Sequence, residues 1–206
     1  MVLEFAIDIE TVKGFLAVDE GEALYQHALA TAAIGPCLEI GSYCGKSSVY
    51  LGSACQRAGS VLYAVDHHQG SEEHQPGEAY HDPSLYDADF KVMDSFRIFR
   101  QTIRQAQLDD TVIPIVAPSK LAARYWSTPL GMVFIDGGHS EAAALNDFRA
   151  WATHVAPGGI LAIHDIFANP EDGGQAPYHI YQLAVASGLF DQLPQINTLG
   201  LLRRRS

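Results

Sequence analysis

A chain of 206 residues, 48% hydrophobic and 18% charged, describes one soluble domain over 1–206 with enough apolar residues for an ample core. The formal net charge of -11 excludes the basic footprint of a nucleic-acid binder, because Lys and Arg cluster only in the tail Arg203-Arg204-Arg205. No apolar run approaches the ~20 residues of a membrane span; the first ten residues carry acids and no basic segment, and Cys37, Cys44 and Cys55 are too few for a disulfide framework, so a cytoplasmic setting is expected.

Strand-like apolar runs alternate with helical periodicity, the pattern of a Rossmann-like, doubly wound α/β fold with helices on both faces of a mostly parallel, seven-stranded sheet. Residues 20–34 read as a helix. Cys37-Leu38-Glu39-Ile40 is a strand that carries an acid and runs into Gly41-Ser42-Tyr43-Cys44-Gly45 before a helix over 46–57. Gly41 and Gly45 let the backbone turn and approach a ligand, and the helix points its free N–H groups into the same cavity. That is a nucleotide-binding corner, and its details favour S-adenosylmethionine. The helix end suits a carboxylate, Glu39 can accept from an amino group, and Ser42 and Ser47 are candidate contacts. A phosphate loop would need a fuller glycine pattern, and the dinucleotide fingerprint needs one more glycine.

Gly59 stops the helix, and strand 61–66 ends in Asp66, placed to take both hydroxyls of a ribose or merely to cap the next segment. Residues 67–90 form a polar insertion with no core-forming period. It reads as a lid in which His67, His68, Glu72 and Glu73 contact a hydroxyl-rich substrate; a zinc site and a solvated loop are the alternatives. Val92, Phe96, Phe99, Ile103 and Ala106 predict one helical face. Strand 112–116 leads to Ser119, a cofactor contact or a helix cap, and a short helix over 119–126. Strand 132–136 ends in Asp136. Leu145, Phe148, Ala152 and Val155 mark another helix, Pro157-Gly158-Gly159 turns the chain, and strand 160–164 ends at Asp165. A helix near 178–187 and an antiparallel pair, 192–196 with 198–202, complete the chain.

In such sheets ligands lie at the carboxyl ends of the strands. Glu39, Asp66, Asp136 and Asp165 fall there. Asp136, Asp165 and one of His139 and His164 are expected around a divalent cation, and hard oxygen ligands suit Mg2+. A sugar hydroxyl bound there would become more acidic, with His139 as the base that removes its proton. The alternative is that both acids only cap helices. A nicotinamide oxidoreductase using Asp66 and a noncatalytic binding module are rivals from other classes. No Gly-x-Ser-x-Gly elbow is present, so a serine nucleophile has no support.

Segments 38–47, 133–140 and 156–165 together, in that order, resemble the class I S-adenosylmethionine-dependent methyltransferases, and within them the small metal-dependent sugar O-methyltransferases. The resemblance implies S-adenosylmethionine as methyl donor, Mg2+ on Asp136 and Asp165, and His139 as base; Asp136 also borders the cofactor. His164 stands where that pattern has its other acid and is the implied third ligand. Segment 66–78 narrows the resemblance to enzymes of methylmannose polysaccharide biosynthesis. It implies a homodimer and, as acceptor, the 1-hydroxyl of a 3-O-methylated mannoside.

Overall fold

The computed structural model describes residues 3–78 and 80–206; Met1, Val2 and Ala79, the last inside the insertion, lie outside the described residues. Helix α1 (Val18–Thr31) precedes β1 (Cys37–Ile40), α2 (Lys46–Ala58) and β2 (Leu62–Asp66). Then come a two-residue hairpin of β3 (Tyr86–Asp87) and β4 (Val92–Met93), α3 (Phe96–Gln105), β5 (Val112–Val116) and α4 (Ser119–Ala122). The chain closes with β6 (Leu130–Ile135), α5 (Glu141–Trp151), β7 (Val155–Ile163), α6 (Ala176–Ala186), β8 (Phe190–Gln192) and β9 (Gly200–Arg204). The main sheet has seven strands in the order β5-β2-β1-β6-β7-β9-β8. Among the described strands of this sheet, β9 alone runs against the direction of the other six.

Side-chain alternation along the central strands splits the core in two. Cys37, Met132, Phe134, Ile160 and Ala162 pack under α1, α2 and α3, while Leu38, Ile40, Val133, Ile135, Leu161 and Ile163 pack under α5 and α6. Strands buried on both faces read as apolar runs, which is why β6, the second half of β7 and, around its one acid Glu39, β1 were legible from composition. Gly21 brings α1 onto Tyr50, since a Cβ there would come within 2.4 Å of the Tyr50 ring. No described helix is long and apolar enough to cross a membrane.

Four local expectations are corrected. Val155, read on a helical face, and Pro157-Gly158-Gly159, read as a turn, belong to β7, which starts five residues before the expected strand. Val92 belongs to β4 rather than to the helix; Asp94 accepts from the Phe96 N–H at 2.9 Å, so α3 starts only there. The insertion has a small core of its own, in which Leu85 and Met93 pack with Cys44. The terminal antiparallel pair lies at 190–192 and 200–204.

Candidate active site

β1, β2, β6 and β7 end on one edge, and the turns that leave them carry the acids. At the first turn Gly41 (φ 87°) crosses beneath the β6 exit: a Cβ on it would sit 2.0 Å from the Asp136 carbonyl oxygen. Gly45 (φ 95°) starts α2, and between them Tyr43 takes a left-handed conformation (φ 45°) that costs energy for a side-chain-bearing residue. Asp66 secures this strained loop. One of its oxygens accepts from the Tyr43 N–H at 2.8 Å and the other from the His68 N–H at 2.7 Å.

Glu39 is completely buried beneath α2, where its Oε2 accepts from Ser48 Oγ at 2.5 Å. Burial, opposed by the neighbouring serine hydroxyls, pushes its carboxyl up to about 7. Ser47 is buried beside it. Glu39 Oε1 and Ser42 Oγ are buried without a hydrogen-bond partner among the described residues, an expensive condition in a protein interior. Two orphaned polar atoms and a glycine turn fit the polar amino-acid end of a bound S-adenosylmethionine.

The second half of the site lies on β6 and β7. Asp136, His139 and Asp165 each offer a ligand atom, all within 4.8 Å of one another. His139 Nε2 lies 3.1 Å from Asp165 Oδ2 and its Nδ1 3.3 Å from Glu73 Oε1. Hydrogen bonds to Asp165 and Glu73 raise its imidazole to about 10. Although burial opposes it, Asp165 is held well below the usual carboxylate range by hydrogen bonds from His139 and His164. Asp165 is also left-handed, at φ 57°. The two carboxylates offer oxygens that suit Mg2+, and the imidazole beside them can serve as a third donor, which would broaden the set toward softer ions, or stay free as a base.

His164 does not stand in that group. It is buried, with Nδ1 3.2 Å from Asp136 Oδ1 and Nε2 3.0 Å from Glu20 Oε2 on α1. Glu20 Oε1 accepts from the Thr198 N–H at 2.9 Å and its Oε2 from the Ala17 N–H at 3.1 Å. Despite burial, the hydrogen bond from His164 takes Glu20 down to about 2. His139 completes the group around the two acids, and His164, whose Nδ1 also lies 3.5 Å from Asp165 Oδ2, stands behind both of them and ties them to α1. Glu20 carried no sequence signal beyond an acid in a first helical turn.

The insertion contributes unevenly. Glu73 reaches His139, whereas Glu72 and His67 are exposed and His67 Nδ1 accepts from the Gln69 N–H at 3.0 Å. His68, expected to contact substrate, is buried between Phe96 and Phe99 with Nδ1 2.9 Å from Ser95 Oγ, and its Nε2 is buried with no partner among the described residues. The helix-cap reading of Ser119 is corrected. Pro118 occupies the N-cap of α4, and Ser119 Oγ accepts from Trp151 Nε1 at 2.8 Å. A buried acid that the sequence did not flag, Asp147 on α5, lies beside that serine, and burial pushes it up to about 6. A Cβ at Gly137 would come within 2.6 Å of it, which explains the glycine after Asp136. A cavity of about 450 Å³ between the N-terminal segment, α1, α2 and the end of α3 is lined by none of these acids.

A family model described as Methyltransferase domain matches residues 38–166, more than half of the chain and the whole span from Glu39 to Asp165. The chain belongs to this family. Its structure is similar to that of the O-methyltransferase NovP, at 15% identity and a TM-score of 0.69, over 92% of this chain and 81% of that one. It is also similar to the O-methyltransferase TomG from Streptomyces achromogenes in complex with SAM (14%, 0.62, 93% and 82%). A third is an O-methyltransferase from Bacillus cereus in complex with SAH (17%, 0.60, 92% and 81%). At these identities the likeness speaks for the fold. Membership in the methyltransferase family sets the nicotinamide reading aside.

Proposed function

We propose that this methyltransferase uses S-adenosylmethionine and a divalent cation, Mg2+ by expectation, to methylate a sugar hydroxyl. The observation that carries the reading is the convergence of Asp136, His139 and Asp165 beside a glycine corner whose Glu39 and Ser42 have unpartnered polar atoms. Solved neighbours crystallised with SAM or SAH support the cofactor. The sulfonium supplies an already activated methyl group, so the chain's work is alignment and proton removal. Glu39, Ser42 and the backbone of Gly41 and Gly45, with Ser47 behind them, hold the amino-acid end, and Asp66 faces the ribose. Asp136 and Asp165 hold the cation, which would acidify the acceptor hydroxyl. His139 takes the proton, and for that it must be neutral. Glu73 and Asp165 resist this step by stabilising the imidazolium, so a cation on the carboxylates would favour it by competing for their charge.

The resemblance of segment 66–78 supports the finer reading: transfer to the 1-hydroxyl of a 3-O-methylated mannoside in methylmannose polysaccharide biosynthesis, by a cytoplasmic homodimer. Other glycans or small hydroxylated metabolites remain the alternative acceptors. The test is transfer of labelled methyl from S-adenosylmethionine to short mannosides with and without 3-O-methyl groups, each with Mg2+ and with EDTA. Transfer confined to 3-O-methylated mannosides and abolished by EDTA is expected; undiminished transfer in EDTA would remove the cation from the mechanism.

A further inference from the structure

Four rings from three separate segments meet between the glycine corner and the insertion. The Phe15 ring centroid lies 5.4 Å from that of Tyr80 and 6.0 Å from that of Tyr43, and Tyr43 lies 5.3 Å from His74. Phe15 is 64% exposed and Tyr80 53% exposed, although both touch other rings. A cluster that served only to pack the insertion would bury those faces. The arrangement is also fastened: Lys13 pairs with Asp82 and donates to Ser84 Oγ at 2.7 Å, holding the segment before α1 against the insertion. The rings are continuous with the acid cluster, because Ser71 Oγ lies 2.7 Å from His74 Nδ1 and 3.0 Å from Glu73 Oε1, and Glu73 reaches His139.

We propose that Phe15, Tyr43, His74 and Tyr80 form a wall that stacks on the apolar C–H face of a pyranoside acceptor whose hydroxyl edge lies toward Asp136, His139 and Asp165. Ring faces carry negative charge density and attract the C–H groups of one sugar face, while the polar rim takes the hydroxyls. A methyl ether on the sugar adds apolar surface of the kind the rings prefer. This assignment rests on the sugar reading above and deepens it by naming what selects the ring.

Ligand-observed NMR titration of the S-adenosylhomocysteine-loaded protein tests the wall without turnover. The probes are D-mannose, 3-O-methyl-D-mannose, which keeps its 1-hydroxyl free, and catechol. Phe15→Ala and Tyr80→Ala remove exposed rings, so neither opens a core cavity. Each is expected to bind 3-O-methyl-D-mannose about three- to tenfold more weakly than wild type, with affinity for S-adenosylhomocysteine unchanged and Phe15→Tyr restoring the sugar affinity. Equal sugar affinity in wild type and both variants would overturn the wall and leave the sugar reading intact. Wild-type protein that bound catechol and neither sugar would overturn both.

Discussion

The two halves of the site treat carboxylates in opposite ways. Beneath α2, Glu39 has serine hydroxyls and the like charge of Asp136 for company, and burial above all pushes it up to about 7. Across the rim, Asp165 and Glu20 face imidazoles and are drawn down in spite of burial, Glu20 to about 2. The same functional group is thus readied for two partners. A carboxyl that half-protonates near neutrality accepts its full charge only when a cationic amino group arrives, whereas carboxylates kept charged beside an imidazolium can hold a cation that displaces it. What a buried acid does here is decided by the charge of its neighbours more than by its depth.

The sharpest way to break this comparison is to neutralise one acid of the charged half. Asp165→Asn is expected to lower methyl transfer by about a thousandfold while S-adenosylhomocysteine affinity, measured by calorimetry, stays within about threefold. Loss of cofactor affinity in this variant would show that the halves are not separable. Next in size, His139→Ala should cost about a hundredfold in kcat and abolish the limb of the pH–rate profile that reports the base; near-normal turnover at every pH would remove His139 from that role.

Glu39→Gln tests the other half and separates binding from stability. S-adenosylmethionine should bind about tenfold or more weakly, since a charge-assisted hydrogen bond is lost. Stability should move the other way. The Glu39 carboxyl titrates higher in the folded protein, at about 7, than its ordinary 4.5, so the wild type loses stability as pH rises between those values. The glutamine variant escapes that loss, and its advantage should grow by about 2 kcal/mol from pH 5 to pH 8 in urea titrations. A pH-independent difference would contradict the buried, raised carboxyl. Smaller still, Mg2+ at a hundred times its dissociation constant should stabilise the protein by about 2.7 kcal/mol, visible in a thermal scan and absent in Asp165→Asn. His67→Ala, at an exposed position, should change turnover by less than about twofold.

Much of this was legible in the chain. Apolar runs gave away β1, β6 and the second half of β7 because both faces of those segments are buried, with Glu39 inside the first run and Asp136 and Asp165 just past the other two. Gly41 and Gly45 were readable because only glycine meets the demands of close approach and positive φ. What escaped depends on distant partners. Glu20 looks like any acid near a helix start, and its meaning comes from His164, 144 positions away. His68 and His67 are neighbours of one type, yet the left-handed turn at His68 sends one into Phe96 and Phe99 and leaves the other in solvent. Val92 fitted a helical spacing by coincidence, and Asp94 set the true start of α3 through a local hydrogen bond that periodicity does not register.

The crossing of Gly41 beneath Asp136 has a consequence for anyone wishing to redesign this catalyst. Two signature segments nearly a hundred positions apart are fitted backbone to backbone, with no gap in which a methyl group could be placed. A library that diversified position 41 would therefore disturb the acid cluster as much as the corner. Positions 15 and 80 border the same chemistry from outside the sheet, and acceptor preference can be evolved there while the inherited frame is left alone.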